Sequence, residues 1–331
     1  MIVENIILKY IANQVLAEAH PTKDFERCIN RRQVKHKCTA CADNCPEQVY
    51  SGIGSRDADY TKCVNCGLCV AACPSRCIAS SATNAAKYLK LIKIPEKSIT
   101  IASAPYEGSA NLSVDDFASL PWEYLACLGL QKKVVFITDG QPMQSPRAAS
   151  LWQETQAHLK YFFGEEEYQK RFVFFDPADP DQDLTQEFNR RELFQKLHTE
   201  IKSQVSSFVP SESMMDGLLY RHLLKGLLAE NNSPASFGWV IPLLSSKCQG
   251  CGVCAKLCPQ KAIQVKKGPE QFAVYLFPFL CNHCGLCQKT CIHSAIDGFG
   301  LVHTNSLKPM VLFDSMDEEK EVRNPTSGSK P

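Results

Sequence analysis

Three segments of the chain spell one pattern, C-x2-C-x2-C-x3-C: Cys63, Cys66, Cys69 and Cys73; Cys248, Cys251, Cys254 and Cys258; and Cys281, Cys284, Cys287 and Cys291. A fourth segment, Cys38, Cys41 and Cys45, is one cysteine short, and Lys35 stands where the missing residue would fall. Cys28, upstream in the stretch RCINRRQVKHKC, is the available substitute. Setting aside Cys77 and Cys127 leaves sixteen of the 18 cysteines, or four sets of four. Thiols this dense permit a disulfide scaffold or a metal site.

The N-terminus, MIVENIILKYIANQVL, lacks a basic leader followed by an apolar segment and a small-residue cleavage site. No apolar run approaches the ~18 residues that a membrane-spanning helix needs. The expected setting is cytoplasmic, where disulfides are disfavoured and thiolates remain available as ligands. Metal is therefore the better reading of the cysteines.

The spacing also narrows the metal. Zinc takes two separated cysteine pairs that close one tetrahedron. A C-x2-C-x2-C loop instead offers three thiolates to three corners of a [4Fe–4S] cube, and the fourth cysteine reaches a neighbouring cube. Pro74 and Pro259 turn the chain away after two of the runs, whereas Ile292 follows the third. Gly67, Gly250, Gly252 and Gly285, between the ligands, let backbone N–H groups approach the sulfur atoms.

These residues resemble the two-cluster bacterial ferredoxin family, present twice, over roughly residues 28–80 and 245–300. The resemblance implies four [4Fe–4S] clusters with crossed ligation. One cube of the first module would take Cys45, Cys63, Cys66 and Cys69, and the other Cys28, Cys38, Cys41 and Cys73. In the second module one cube would take Cys248, Cys251, Cys254 and Cys291, and the other Cys258, Cys281, Cys284 and Cys287. Cys77 and Cys127 are expected in the core. His283 and His293, inside the last cysteine loop, are expected to adjust local hydrogen bonding rather than to ligate.

Between the cysteine blocks the pattern changes. SITIAS (98–103), KVVFIT (133–138) and RFVFFD (171–176) read as buried strands, with helical patterns over about 113–130, 146–163 and 183–205. The alternation predicts a small parallel α/β layer structure. The overall expectation is an α+β protein in which two ferredoxin-like modules flank that layer. An amphipathic helix occupies 1–27, the first module 28–95, the α/β domain 96–209, a helical linker 210–242, the second module 243–303, and a tail 304–331 that is disordered at its end.

The middle segment offers no GxGxxG and no GxxxxGK[ST] loop. Asp139, at the end of a strand, reads as a cap. The segment somewhat resembles the small α/β iron–sulfur subunits associated with hydrogenases and heterodisulfide reductases, without their extra cysteines, so a scaffolding or docking role is expected. Charge is balanced, with 36 Lys+Arg against 35 Asp+Glu, so no basic field points to nucleic acid. The expected partners are redox proteins, an electron donor and an acceptor. The chain reads as an electron carrier, the relay subunit of an anaerobic oxidoreductase of formate dehydrogenase or hydrogenase type. The alternative is a flavin- or nucleotide-dependent reductase with its site at the strand ends of the α/β domain.

Overall fold

The computed structural model describes residues 20–33, 37–50, 58–104, 106, 108–138, 145–177, 218–230, 236–304 and 307–315. Residues 1–19 of the expected N-terminal helix, Lys35, Asp139, the helical pattern at 183–205 and the end of the tail lie outside the described residues; residues 20–27, expected in that helix, instead hold a short strand at Thr22–Lys23 and a 3-10 turn at Phe25–Arg27. Among the described residues no helix is long and apolar enough to cross a membrane.

The first cysteine block is closed by a short antiparallel ladder between β1 (Thr22–Lys23) and β2 (Ile78–Ala79), which brings its two ends together. Inside it lie three short helices: α1 (Ile29–Arg32), α2 (Ala40–Asp43) and α3 (Leu68–Ala72). Its core consists of Val49, Tyr50, Val70, Ile78 and the sulfur-bearing Cys28, Cys69, Cys73 and Cys77. A core so small, and half cysteine, lacks the apolar area to order the block unaided. Helix α4 (Ala82–Lys93) then leads out, capped by the Ser81 hydroxyl, which accepts from the Asn84 N–H.

The central sheet holds β3 (Ser98–Ser103), β4 (Leu112–Val114), β5 (Lys133–Ile137) and β6 (Phe172–Phe175) in the order β4-β3-β5-β6, every pair parallel. Ile99, Ile101, Val134, Val135 and Phe136 are fully buried, as continuous apolar strands must be when helices cover a parallel sheet. The helices are α5 (Trp122–Gln131), α6 (Pro146–Phe163) and α7 (Glu165–Arg171). Helix α6 starts where expected, with Ser145 as its cap and Pro146 in its first turn.

One expectation is corrected. The segment 113–130 is not one helix, because it opens with β4 and passes through a 3-10 turn at Phe117–Ser119 before α5 begins. Pro121, at the N-terminal boundary of α5, cannot sit in a helix interior, and Leu112–Val114 gains backbone partners on the edge of β3.

Helix α8 (Leu219–Glu230) packs on α5 and introduces the second cysteine block. There β7 (Phe237–Leu244) pairs antiparallel with β10 (Ile296–Thr304). Between them β8 (Ile263–Lys267) and β9 (Phe272–Leu276) form a hairpin, which β11 (Met310–Asp314) extends in the order β11-β9-β8. Short helices α9 (Val253–Leu257) and α10 (Leu286–Thr290) carry cysteines. One apolar cluster runs from Leu68 through Ile101, Leu125 and Phe162 to Leu276 and Ile296, so the second block shares its core with the central sheet.

Strand β7 meets the C-terminal end of α6 at Gly238, where an added Cβ would run into the Tyr161 carbonyl oxygen. Gly238→Ala is expected to lower stability by about 1–3 kcal/mol. Gly298→Ala, where a Cβ meets nothing within 4 Å among the described residues, should stay within about 0.5 kcal/mol of wild type. Denaturant unfolding of both variants checks the pair.

On the same helix the His158 ring stacks on Trp122, with centroids 5.5 Å apart. Burial, followed by the Arg76 guanidinium, lowers the His158 pKa to about 4. The unfolded chain titrates this ring near about 6.5, so it binds a proton that the folded chain refuses. The His158 contribution is complete above about pH 6.5 and falls away as the pH drops toward about 4. Unfolding midpoints at pH 7 and pH 5 should therefore differ more in wild type than in His158→Gln.

Candidate metal-cluster sites

The three complete runs build the same loop. The second residue after the first cysteine has positive φ (Asn65 59°, Gly250 59°, His283 55°), and so does the residue after the second cysteine (Gly67 83°, Gly252 81°, Gly285 71°). The latter three glycines are the N-caps of α3, α9 and α10, and they adopt a left-handed conformation that a Cβ would strain. Left-handed residues between turns point successive N–H groups into one concavity, a nest suited to anions.

The exit from the runs recurs four times. Three residues beyond the last cysteine the backbone again has positive φ: Gln48 51°, Arg76 49°, Lys261 53° and Ser294 46°. The next N–H then points back at the cysteine, and Val49, Cys77, Ala262 and Ala295 donate to the Sγ atoms of Cys45, Cys73, Cys258 and Cys291, each at 3.3 Å. The incomplete run therefore shares the exit turn of the other three. Its entry differs, because α2 follows Cys38 directly and Asn30 replaces the nest. The Asn30 amide donates to the Cys38 carbonyl at 2.7 Å, and the Cys38 N–H donates to Asn30 Oδ1 at 2.7 Å. Asn30 sits on α1, whose N-cap is Cys28, so this clamp brings Cys28 toward Cys38.

These loops gather the thiols into four sets. Cys45, Cys63, Cys66 and Cys69 (set A) line a cavity of about 340 Å³. Cys28, Cys38, Cys41 and Cys73 (set B) line one of about 290 Å³, and Cys248, Cys251, Cys254 and Cys291 (set C) one of about 390 Å³. Cys281, Cys284 and Cys287 lie within electrostatic range of Cys258 (set D). In every set one thiol comes from the end of another run. Among the described residues no group of three or more His, Cys, Asp or Glu converges closely enough for one metal ion. Sets A, B and C each surround open space instead, which suits a multinuclear cluster better than a single tetrahedral ion.

Burial, reinforced by neighbouring thiols, pushes the acidity of most of these groups down. The Cys254 and Cys281 pKa values rise to about 11 and that of Cys284 to about 12, and those of Cys69 and Cys287 rise as well. Such thiols ionise only when a cationic centre faces them, so ligation and proton release are linked. The donor set fits an iron–sulfur cube: four soft sulfurs around one cavity, with backbone N–H groups aimed at them.

Several neighbours escaped the sequence reading. The Tyr50 hydroxyl donates to Cys69 Sγ at 3.6 Å, and Lys23 Nζ donates to Cys41 Sγ at 3.8 Å. Partial burial disfavours the Lys23 charge, but the sulfurs of Cys41, Cys28, Cys77 and Cys73 around it outweigh that and raise its pKa. Cys77 is buried, as a core residue should be, yet its sulfur joins set B, 3.4 Å from Cys73 Sγ. Hydrogen bonding with Cys77 holds the Cys28 thiol down to about 6 and the Cys73 thiol down to about 5. Cys127 lies in the core, with its thiol on the Tyr220 carbonyl at 3.4 Å. His283 supplies a left-handed turn and packs its ring on Phe299 at 4.3 Å, while His293 lines the set C cavity.

Comparison with known proteins agrees with this geometry in two places. Residues 247–295 match the 4Fe-4S dicluster domain family, and residues 57–79 match the 4Fe-4S binding domain family. The second match contains Cys63 to Cys77 and stops short of Cys28, Cys38, Cys41 and Cys45. No curated protein matches the chain. With sulfur-lined cavities at both matched segments, the chain is a 4Fe-4S-binding protein with two ferredoxin-type modules.

Proposed function

We propose that the chain carries four [4Fe–4S] clusters, one on each of sets A to D, and that it serves as the electron-relay subunit of a larger anaerobic redox enzyme of formate dehydrogenase or hydrogenase type. A [4Fe–4S] cluster supplies reversible one-electron transfer at a potential set by its surroundings. The chain's own contribution is to hold and tune. The sixteen patterned cysteines act as thiolate ligands, including Cys28 in place of the residue missing at Lys35. Backbone N–H groups of the nests and exit turns donate to sulfur and favour the reduced, more negative state. Tyr50, Cys77 and Lys23 add side-chain donors or positive charge to sets A and B.

The observation that supports four sites is the fourfold recurrence of the exit turn, which includes the run that lies outside the matched family segments. The central α/β layer is the scaffold on which the two modules are mounted. Its strands carry no phosphate-cradling motif, and an inserted layer of this size is superfluous for a free two-cluster carrier. A docked, fixed subunit has a use for it, and this last step is an argument by analogy.

Anaerobically purified protein should contain about sixteen iron atoms per chain, four in each cube. Cys28→Ser is expected to lower that number and alter the signal of a single cluster, whereas Cys127→Ser should leave it unchanged. An iron content of about twelve that is insensitive to Cys28→Ser would sink the four-cluster reading. Affinity purification from the native host should yield a catalytic redox subunit in stoichiometric amount, and recovery of the chain alone would exclude the relay-subunit role.

A further inference from the structure

The two modules meet through a buried charge bridge that neither cysteine pattern contains. Arg76, three residues beyond Cys73, donates from Nη1 to the carbonyl oxygens of Ala71 (2.7 Å) and Cys73 (2.9 Å). Its Nε donates to Glu123 Oε1 at 3.0 Å. The same oxygen accepts from Arg221 Nη2 at 2.9 Å, and Arg221 Nη1 donates to the carbonyl oxygens of Phe279 (2.7 Å) and Cys281 (3.1 Å). Three side chains thus connect the backbone of a set B cysteine to that of a set D cysteine. A second link lies beside them, where Gln260 donates to the Ser75 carbonyl. Each of these two residues lies two positions beyond a cysteine, Cys258 of set D and Cys73 of set B.

The bridge is poorly made as a stabilising device. Glu123, Arg221 and Arg76 are 2 %, 3 % and 9 % exposed, and both arginines converge on one carboxylate oxygen. Among the described residues Glu123 Oε2 and Arg221 Nε have no hydrogen-bond partner. Well-packed apolar residues are often equal or better at such a place. What the arrangement provides is one surplus positive charge, two guanidiniums against one carboxylate, fixed in a dry interior between two sites that become more negative on reduction. Its charged or titratable neighbours are His158 on α6, Cys127 on α5, and the cysteines Cys73 and Cys281 at its two ends, and Trp122 stacks on the Arg221 guanidinium, 5.2 Å away.

We infer that Arg76, Glu123 and Arg221 form a positioning bridge that locks sets B and D together as the junction between the modules and raises the reduction potentials of the clusters held there. The inference rests on the four-cluster reading and goes beyond it by naming the inner pair, sets B and D, and leaving sets A and C as the outer ends.

Two variants of the full chain, followed by potentiometric titration with electron paramagnetic resonance, test it. Glu123→Gln removes the negative member and should raise two of the four couples. The triple variant Arg76→Met, Glu123→Leu, Arg221→Met removes the surplus positive charge, keeps the interior packed, and should lower the same two. Each change is expected to be about tenfold in the reduction equilibrium, or about 59 mV for a one-electron couple. Shifts of opposite sign separate a charge effect from loosened packing, which moves both variants the same way. Unmoved couples, or shifts of one sign, in protein with full iron content overturn the bridge and leave the four-cluster reading intact. A wild-type protein without a cluster on set B or set D overturns both.

Discussion

A thiolate stays ionised in a protein interior only if protons or positive charge face it. Most of the patterned thiols here are buried enough that desolvation alone keeps them protonated, so every loop that presents them must also present donors. The recurring exit turn meets this need with backbone: a left-handed residue three positions past the last cysteine swings the next N–H onto that sulfur. The glycine-capped nests do the same at the entry. Such donors are fixed by φ and ψ and need no particular side chain, which explains why Gln48, Arg76, Lys261 and Ser294, chemically unrelated, occupy one conformation.

The same demand shapes the tertiary structure. The first module has a small core of its own, half of it cysteine, and joins the central cluster through Leu68 and Ala71. The second module shares the core of the central sheet. The scaffold is consequently more than a spacer, since α5 brings Glu123 to the place where both modules can reach it, and α8 brings Arg221 from the other side. Trp122 and His158 close over that network from α5 and α6. Positive charge placed in a dry interior interacts with a neighbouring site far more strongly than it does at the surface, so the region between the modules is where a fixed charge has most influence.

Local spacing made the cysteine loops legible in advance, because three thiolates two residues apart admit few geometries. It also gave the central strands, whose apolar runs have few alternative uses. Helix α6 was readable from Ser145 and Pro146, and the break before α5 was there to be seen in Pro121. Strand β4 was not, because three residues on a sheet edge carry no periodicity of their own. Tyr50, Lys23 and Asn30 gave no signal either: Tyr50 and Lys23 act on thiols distant in sequence, Asn30 on the backbone of Cys38, and hydroxyl, ammonium and amide groups are common everywhere. Cys77 was legible only as a buried residue, since its nearness to Cys28 depends on the β1–β2 ladder.

The sequence by itself determined which residues present sulfur and in what local geometry, since spacing of two or three residues is enforced by covalent reach and backbone sterics. Tertiary structure decided what supports and connects those groups: which side chains reach the sulfurs, how the Asn30 clamp draws Cys28 toward Cys38, and which two sets face each other across Glu123. Such contacts join separate elements of the fold, where local spacing imposes no restraint and only packing and buried charge select the partner.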